Sequence, residues 1–218
     1  MNRTNHTAAL NELSASEGVF TTAQASRLGI PRNVLSQAVA SGRAERIAHG
    51  AYRLSSTMGS PSDELAAIWK LTDPSAFTHE RLSSKTPDGV VIGGATAAHL
   101  LGIGDFHLFP YRIYSPKRIN SRIKAASFAT RVIDPRDVTI AEGLPVTRPE
   151  RTLVDLCLDF EDPSLVEDAF RDAMTGGLNV GRVRTILNEQ PSGAHVRNAL
   201  STIERLLSEA EEGGKHEI

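Results

Sequence analysis

The chain has 218 residues, 40% of them hydrophobic, which suffices for one large or two small globular domains. No run of about 18 apolar residues occurs that could cross a bilayer as a helix, and the N-terminus lacks a charged-then-apolar secretory signal, so the expected location is the cytoplasm, with no membrane partner. A single cysteine, Cys157, excludes an intramolecular disulfide and a thiolate-rich metal site; set among Leu153, Leu156 and Leu158, it reads as a small buried hydrophobe.

The formal net charge of −2 hides a segregated distribution. Residues 1–54 carry six basic side chains (Arg3, Arg27, Arg32, Arg43, Arg46, Arg53) against three acidic ones (Glu12, Glu17, Glu45). From Arg112 to Arg136, the cations Arg112, Lys117, Arg118, Arg122, Lys124, Arg131 and Arg136 face Asp134 alone. The tail from Ser201 is acidic, with Glu204, Glu209, Glu211, Glu212 and Glu217 against Arg205 and Lys215.

In chain order, a first helix fits Thr7 to Glu17, with Ala9, Leu10 and Leu13 on one face and Gly18 as its stop. Val19-Phe20 is a short apolar entry. Thr21 followed by Gln24 is a capping-box pattern, which predicts a second helix over Thr22–Leu28. Gly29 supplies a turn, and Pro31 opens a third helix, Arg32–Ser41, where its missing N–H costs nothing. Val34, Leu35, Ala38 and Val39 line one side of that helix, leaving Arg32, Asn33, Ser36 and Gln37 outward. On an isolated helix such a face reads as merely solvated. After a tight helix-turn-helix it reads as the surface that meets base edges in a major groove, where arginine forks onto guanine and asparagine or glutamine pairs with adenine.

Residues 43–54 form two short runs around His49-Gly50, a β-hairpin. A hairpin directly after a recognition helix is a wing. Ile47, Tyr52 and Leu54 would tack it to the core, leaving Arg46, His49 and Arg53 for phosphates or an adjacent groove, unless these side chains serve only to solubilise a sheet edge. Residues 1–56 thus read as a winged helix-turn-helix domain. The small polar stretch from Ser55 to Ser60 reads as a linker, and residues 61–218 as a second domain.

That second domain reads as mixed: a helix at Asp63–Leu71, a strand at Val90–Ile92, a helix at Ala95–Leu101, and strands at Arg112–Ser115, Ser127–Ile133 and Val138–Ala141. Helices follow at Arg151–Phe160, Ser164–Met174, Val180–Asn188 and His195–Glu212. The fold class is α+β, with a small central sheet and a helical C-terminal part. The basic segment from Arg112 to Arg136, above all Arg112, Lys117, Arg118, Arg122 and Lys124, is either a solvated sheet face or a second surface for DNA, RNA or an acidic partner.

No catalytic constellation stands out. His79-Glu80 lacks the second histidine of a zincin helix, and His99 and His107 have no cysteine or carboxylate at metal spacing. Neither a nucleophile elbow nor a phosphate-binding glycine loop occurs, and Arg151 with Asp155 reads as an i,i+4 helix pair. The expectation is a non-enzyme without metal or cofactor.

Several segments resemble the AbiEi family of antitoxins from type IV toxin-antitoxin systems: GVFTTAQA at 18–25, GAYRL at 50–54, GGATAAHLLGI at 93–103 and GLPVTRPERTLVDL at 143–156. The resemblance runs from about Glu17 to Leu187. It implies an antitoxin-like second domain, and a protein that binds double-stranded DNA at its own promoter, represses that operon and neutralises a nucleotidyltransferase-like toxin encoded beside it. Two other readings stand next to it. A ligand-responsive winged-helix regulator predicts a pocket of convergent polar groups. A nucleic-acid-processing enzyme such as a nuclease requires carboxylates or metal ligands brought together by the fold.

Overall fold

Leu10 and Leu13, one helical step apart, meet Phe20 in the first core of the computed structural model, which describes residues 3–83, 87–191 and 193–213. Lys215 and Glu217 of the acidic tail lie outside these residues, as do the side chains of Arg3, Glu211 and Glu212. The chain divides into two compact units, Met1–Asp88 and Gly89–Ile218.

The first unit runs α1 (Arg3–Glu17), β1 (Val19–Thr21), α2 (Thr22–Arg27), α3 (Arg32–Ala40), β2 (Ala44–Ala48), β3 (Ala51–Leu54), α4 (Asp63–Leu71) and α5 (Thr78–Arg81). Its strands form one antiparallel sheet in the order β1-β3-β2, so the entry at Val19 is a true strand paired with the wing. Strand alternation then divides the unit. Phe20 and Tyr52, cross-strand partners with ring centroids 6.3 Å apart, face α1, α2 and α3 through Leu10, Leu13, Ile30 and Leu35. Val19 and Ala51 point to the opposite face, where Ala67 of α4 covers them, with Ile47 and Leu71 packed alongside.

This second face moves the expected boundary. The stretch at Ser55–Ser60 does not separate two units; α4 returns onto the sheet, and the division falls at Asp88/Gly89. Leu65, Ile68 and Trp69 of α4 are almost wholly buried, and each side chain removed from water contributes about 1.5–3 kcal/mol. A buried ion pair fixes the same helix. Lys70 bonds Glu17 at the end of α1, with side-chain exposures of 4% and 3%, and Thr78 Oγ1 donates to the same carboxylate at 2.6 Å. Burial alone would raise the Glu17 carboxyl, but the bonds from Lys70 and Thr78 outweigh it and hold its pKa below the usual value.

The second unit contains β4 (Val91–Ile92), α6 (Gly94–Leu101), β5 (Tyr111–Ser115), β6 (Ala126–Thr130), β7 (Val138–Ala141), β8 (Leu144–Thr147), α7 (Pro149–Leu158), α8 (Pro163–Thr175), α9 (Val180–Asn188) and α10 (Ala194–Gly213). Its five-stranded sheet has the order β6-β5-β4-β8-β7, with β4–β8 and β5–β6 parallel and the other neighbours antiparallel. α6 and the four C-terminal helices share one core, built from residues such as Leu153, Leu156, Phe170, Ile186, Ile203 and Leu207. The expected helices and strands form with ends shifted by a few residues, and β8 is additional. It is buried at all four positions and joins the sheet between β4 and β7 despite Pro145, because pairing with β4 is registered at Val146.

Replacing Lys70 by Met leaves Glu17 buried without a counter-charge, with only the neutral donors of Thr78 and Gln24 to satisfy it. We expect a loss of about 3 kcal/mol in urea unfolding followed by Trp69, the chain's single tryptophan, and recovery of most of that loss on adding Glu17→Gln. Wild-type stability in the single variant would mean that the pair contributes nothing.

Candidate nucleic-acid interface

The helix-turn-helix is fixed by local chemistry at each joint. Thr21 and Gln24 form the capping box in full: the Gln24 backbone N–H donates to Thr21 Oγ1 at 3.0 Å, and the Thr21 N–H to Gln24 Oε1 at 2.9 Å. Gly29 takes φ +74°, a conformation cheap only for glycine, and lets Ile30 N–H reach back to the Ala25 carbonyl at 3.0 Å. Pro31 then occupies the cap position of α3.

Leu35 and Ala38 bury one face of α3 to 0% and 1% exposure, which turns Arg32, Asn33, Ser36, Gln37 and Ala40 to solvent. Arg32 has no carboxylate within ion-pair distance among the described residues, and the Ser36 hydroxyl returns to the Arg32 carbonyl at 3.2 Å. The first turn of α3 carries no acidic side chain, so its N-terminal end remains electropositive. Arg32, Asn33 and Gln37 thus stand with unengaged side chains among the described residues, on a helix whose orientation the core fixes.

The wing is the expected hairpin, with Gly50 at φ +89° in its turn and a register shift between Arg46 and Ala48. Arg46 and His49 are both exposed and joined at 2.7 Å between Nη2 and Nδ1, so they act from one place near the tip. Arg53 does not join them. It lies opposite Val19 on the face that α4 covers, its side chain is 12% exposed, and it pairs with Glu45 at 2.6 Å and Asp63 at 3.2 Å. Arg27 is also neutralised, through both guanidinium nitrogens onto Glu80 at 2.7 and 2.8 Å, while lying 4.4 Å from the Phe77 ring. Arg43, a basic residue given no role by the sequence, is exposed at the junction of α3 and β2, and among the described residues its guanidinium bonds only the Ser41 hydroxyl. Its position just before the wing was the available signal.

In the second unit the basic segment splits in the same way. Arg112 bonds Ser127 at 2.9 Å and Asp159 at 3.3 Å. Arg131 reaches Asp155 at 2.6 Å and Asp159 at 3.0 Å, and Arg136 pairs with Asp134 at 2.7 Å. Arg112 therefore leaves the proposed patch: as a strand residue facing α7, it is held by a carboxylate that is distant in sequence. Lys117, Arg118, Arg122 and Lys124 remain exposed on the loop between β5 and β6, with no ion pair among the described residues. Arg118, Asn120, Ser121 and Arg122 line a polar hollow of about 630 Å³ beside Phe128 and Thr130.

The Arg151–Asp155 pair forms at 2.8 Å as an i,i+4 contact, but it is buried and continuous with Arg131 rather than a surface pair. Desolvation raises the Asp155 carboxyl against the pull of Arg151. Burial pushes the Cys157 thiol up to about 12, which leaves it protonated at neutral pH. Among the described residues no three His, Cys, Asp or Glu side chains converge as metal ligands.

Residues 8–55 match a family described as transcriptional regulators, AbiEi antitoxin, so the N-terminal region carries that family's domain. None of the curated proteins matches the chain. Among solved structures, the crystal structure of the RV2827C protein from Mycobacterium tuberculosis is similar in fold, with a TM-score of 0.57 at 18% identity over 93% of this chain and 76% of that one.

Arg32→Ala and Gln37→Ala are each expected to weaken sequence-specific binding by ~1–3 kcal/mol for a lost base contact, as gel shifts on the DNA upstream of the gene would measure. Wild-type affinity in both removes α3 as the reading surface. Arg46→Ala should lower affinity for every sequence and reduce the salt slope by ~1. Arg53→Ala should lower stability and leave that slope unchanged.

Proposed function

We propose that this chain is a DNA-binding antitoxin that represses its own toxin-antitoxin operon through the first unit and counteracts a nucleotidyltransferase-like toxin encoded beside it. The observation that carries the DNA-binding half is the α3 surface. Arg32, Asn33 and Gln37 stand exposed on one face of a helix whose other face is locked into the core, within the region that matches the regulator family. The arginine fork suits the paired acceptors N7 and O6 of guanine, and the amides of Asn33 and Gln37, each with one donor and one acceptor group, suit the N6 amino group and N7 of adenine in the major groove.

Arg43, Arg46 and His49 flank that helix and supply contacts to the phosphate backbone. Such contacts add affinity through counterion release without reading sequence. One winged helix covers only a short half-site, so the operator is expected to hold more than one copy of the site. The exposed loop from Lys117 to Lys124 suits a polyanionic surface, either further DNA backbone or an acidic face of a partner. The toxin-directed half of the reading rests on the family match and on the resemblance of segments in the second unit.

A reporter driven by the DNA upstream of the gene tests repression. The full chain should silence it, and the Arg32→Ala, Gln37→Ala double variant should restore output at least about tenfold, the effect of losing roughly 1.4 kcal/mol. Co-expression with the neighbouring open reading frame tests the other half: growth inhibition by that product should be relieved by the chain. Equal reporter output with and without the chain overturns repression, and undiminished toxicity overturns the antitoxin assignment.

A further inference from the structure

A cleft of about 320 Å³ opens in the second unit between α6, the 106–110 segment and the β5–β6 face of the sheet, and of the residues assigned above to nucleic acid only the displaced Arg112 lines it. Its volume is at the lower end of the range for small-molecule sites, ~300–1,000 Å³. Ala95, Phe106 and Leu165 give it an apolar wall. Phe109, also in the lining, is held against Tyr111 with ring centroids 4.5 Å apart and is still 56% exposed.

Three charged groups line this cleft, Arg112, Asp159 and Glu161, and the first and last of them have unmet valences. Arg112 uses one Nη on Ser127 and the other on Asp159 at 3.3 Å, a long contact to a carboxylate that also accepts from Arg131 and Tyr114. Its Nε is buried with no partner. Glu161 lines the same cleft, and its carboxylate has no hydrogen bond or ion pair among the described residues. Burial, and secondarily Asp159, raise its pKa, while Arg112 opposes them. The guanidinium and the carboxylate do not pair with each other, so the cleft holds an unsaturated cation and an unsaturated anion beside an apolar wall.

We propose that this cleft binds a small zwitterion, an α-amino acid with an apolar side chain: its carboxylate meets Arg112, its ammonium meets Glu161, and its side chain lies along Ala95, Phe106, Phe109 and Leu165. A ligand with both charges satisfies both groups at once, whereas an anion alone leaves Glu161 facing it and a cation alone leaves Arg112 facing it. Charge-assisted hydrogen bonds at both ends fix orientation, and the apolar wall selects the side chain.

Isothermal calorimetry on the full chain tests this, with L-leucine and L-phenylalanine as probes and two truncated forms of leucine, 3-methylbutylamine and 4-methylpentanoate. Saturable binding of at least one amino acid is expected, with each truncated form at least about tenfold weaker. Glu161→Gln removes no hydrogen bond or ion pair among the described residues, so it should fold as wild type and bind the amino acid about tenfold to a hundredfold more weakly. The proposal is overturned by any of three results: no amino acid binds at millimolar concentration, the truncated forms bind as well as leucine, or Glu161→Gln leaves the affinity unchanged.

Discussion

Glu17 and Lys70 are both almost fully buried, and a buried ion pair persists only where the surrounding structure supplies further hydrogen bonds and leaves no room for water. Thr78 supplies those bonds, through its backbone N–H and its hydroxyl, and in doing so draws the segment after α4 back to the end of α1. From there the chain runs as a strap along α2. Thr21 donates to the Pro74 carbonyl, Gln24 to the Ala76 carbonyl at 2.8 Å, and Arg27 pairs with Glu80. The two residues of the capping box thus also hold the strap. The first helix of the helix-turn-helix is clamped by residues well beyond the 8–55 region that matches the regulator family, and α3 is carried in a fixed attitude by a structure larger than the motif.

The same accounting of charge explains which cations are available to a partner. Buried and part-buried carboxylates recruit arginines: Asp155 takes its helix neighbour Arg151 and the distant Arg131, Asp159 takes Arg131 and Arg112, and Asp137 takes Arg182 through two bonds of 2.7 Å. Each arginine so engaged is lost to the surface field. Among the described residues, the exposed basic side chains that no carboxylate reaches then lie on α3, the α3–β2 junction, the wing and the loop after β5, with Arg148, Arg184 and Arg197 scattered over the helical part of the second unit. Net charge over a sequence window overstates a basic patch whenever the window contains strand residues that face a helix.

Local chemistry was legible in the sequence. The capping box at Thr21, the glycine turn at Gly29, the apolar spacing of α3 and the hairpin at His49-Gly50 involve neighbours in the chain, and the structure carries them as read. The α+β class and α4, with its ends, were legible for the same reason. What escaped depended on remote partners. Arg53 sits in a strand whose two faces are both covered, a fact set by α4 folding back. β8 hides behind Pro145, and α5 is too short to display a period. The boundary at Asp88 was masked because Ser55–Ser60 has linker composition, although Arg53 and α4 bridge it within one unit.

The two units offer different chemistry: exposed polar side chains on a rigid helix in the first, a cleft lined by Arg112, Asp159 and Glu161 and an exposed basic loop in the second. The central claim is that α3 reads sequence. The most direct measurement is fluorescence anisotropy of the full chain, at physiological salt, on the DNA upstream of its gene and on a shuffled duplex of the same composition. Specific sites are typically bound ~10³-fold or more tighter than non-specific DNA, and the account predicts a preference of that order. Equal affinity for the two duplexes would reduce α3 to a backbone-binding surface and contradict it.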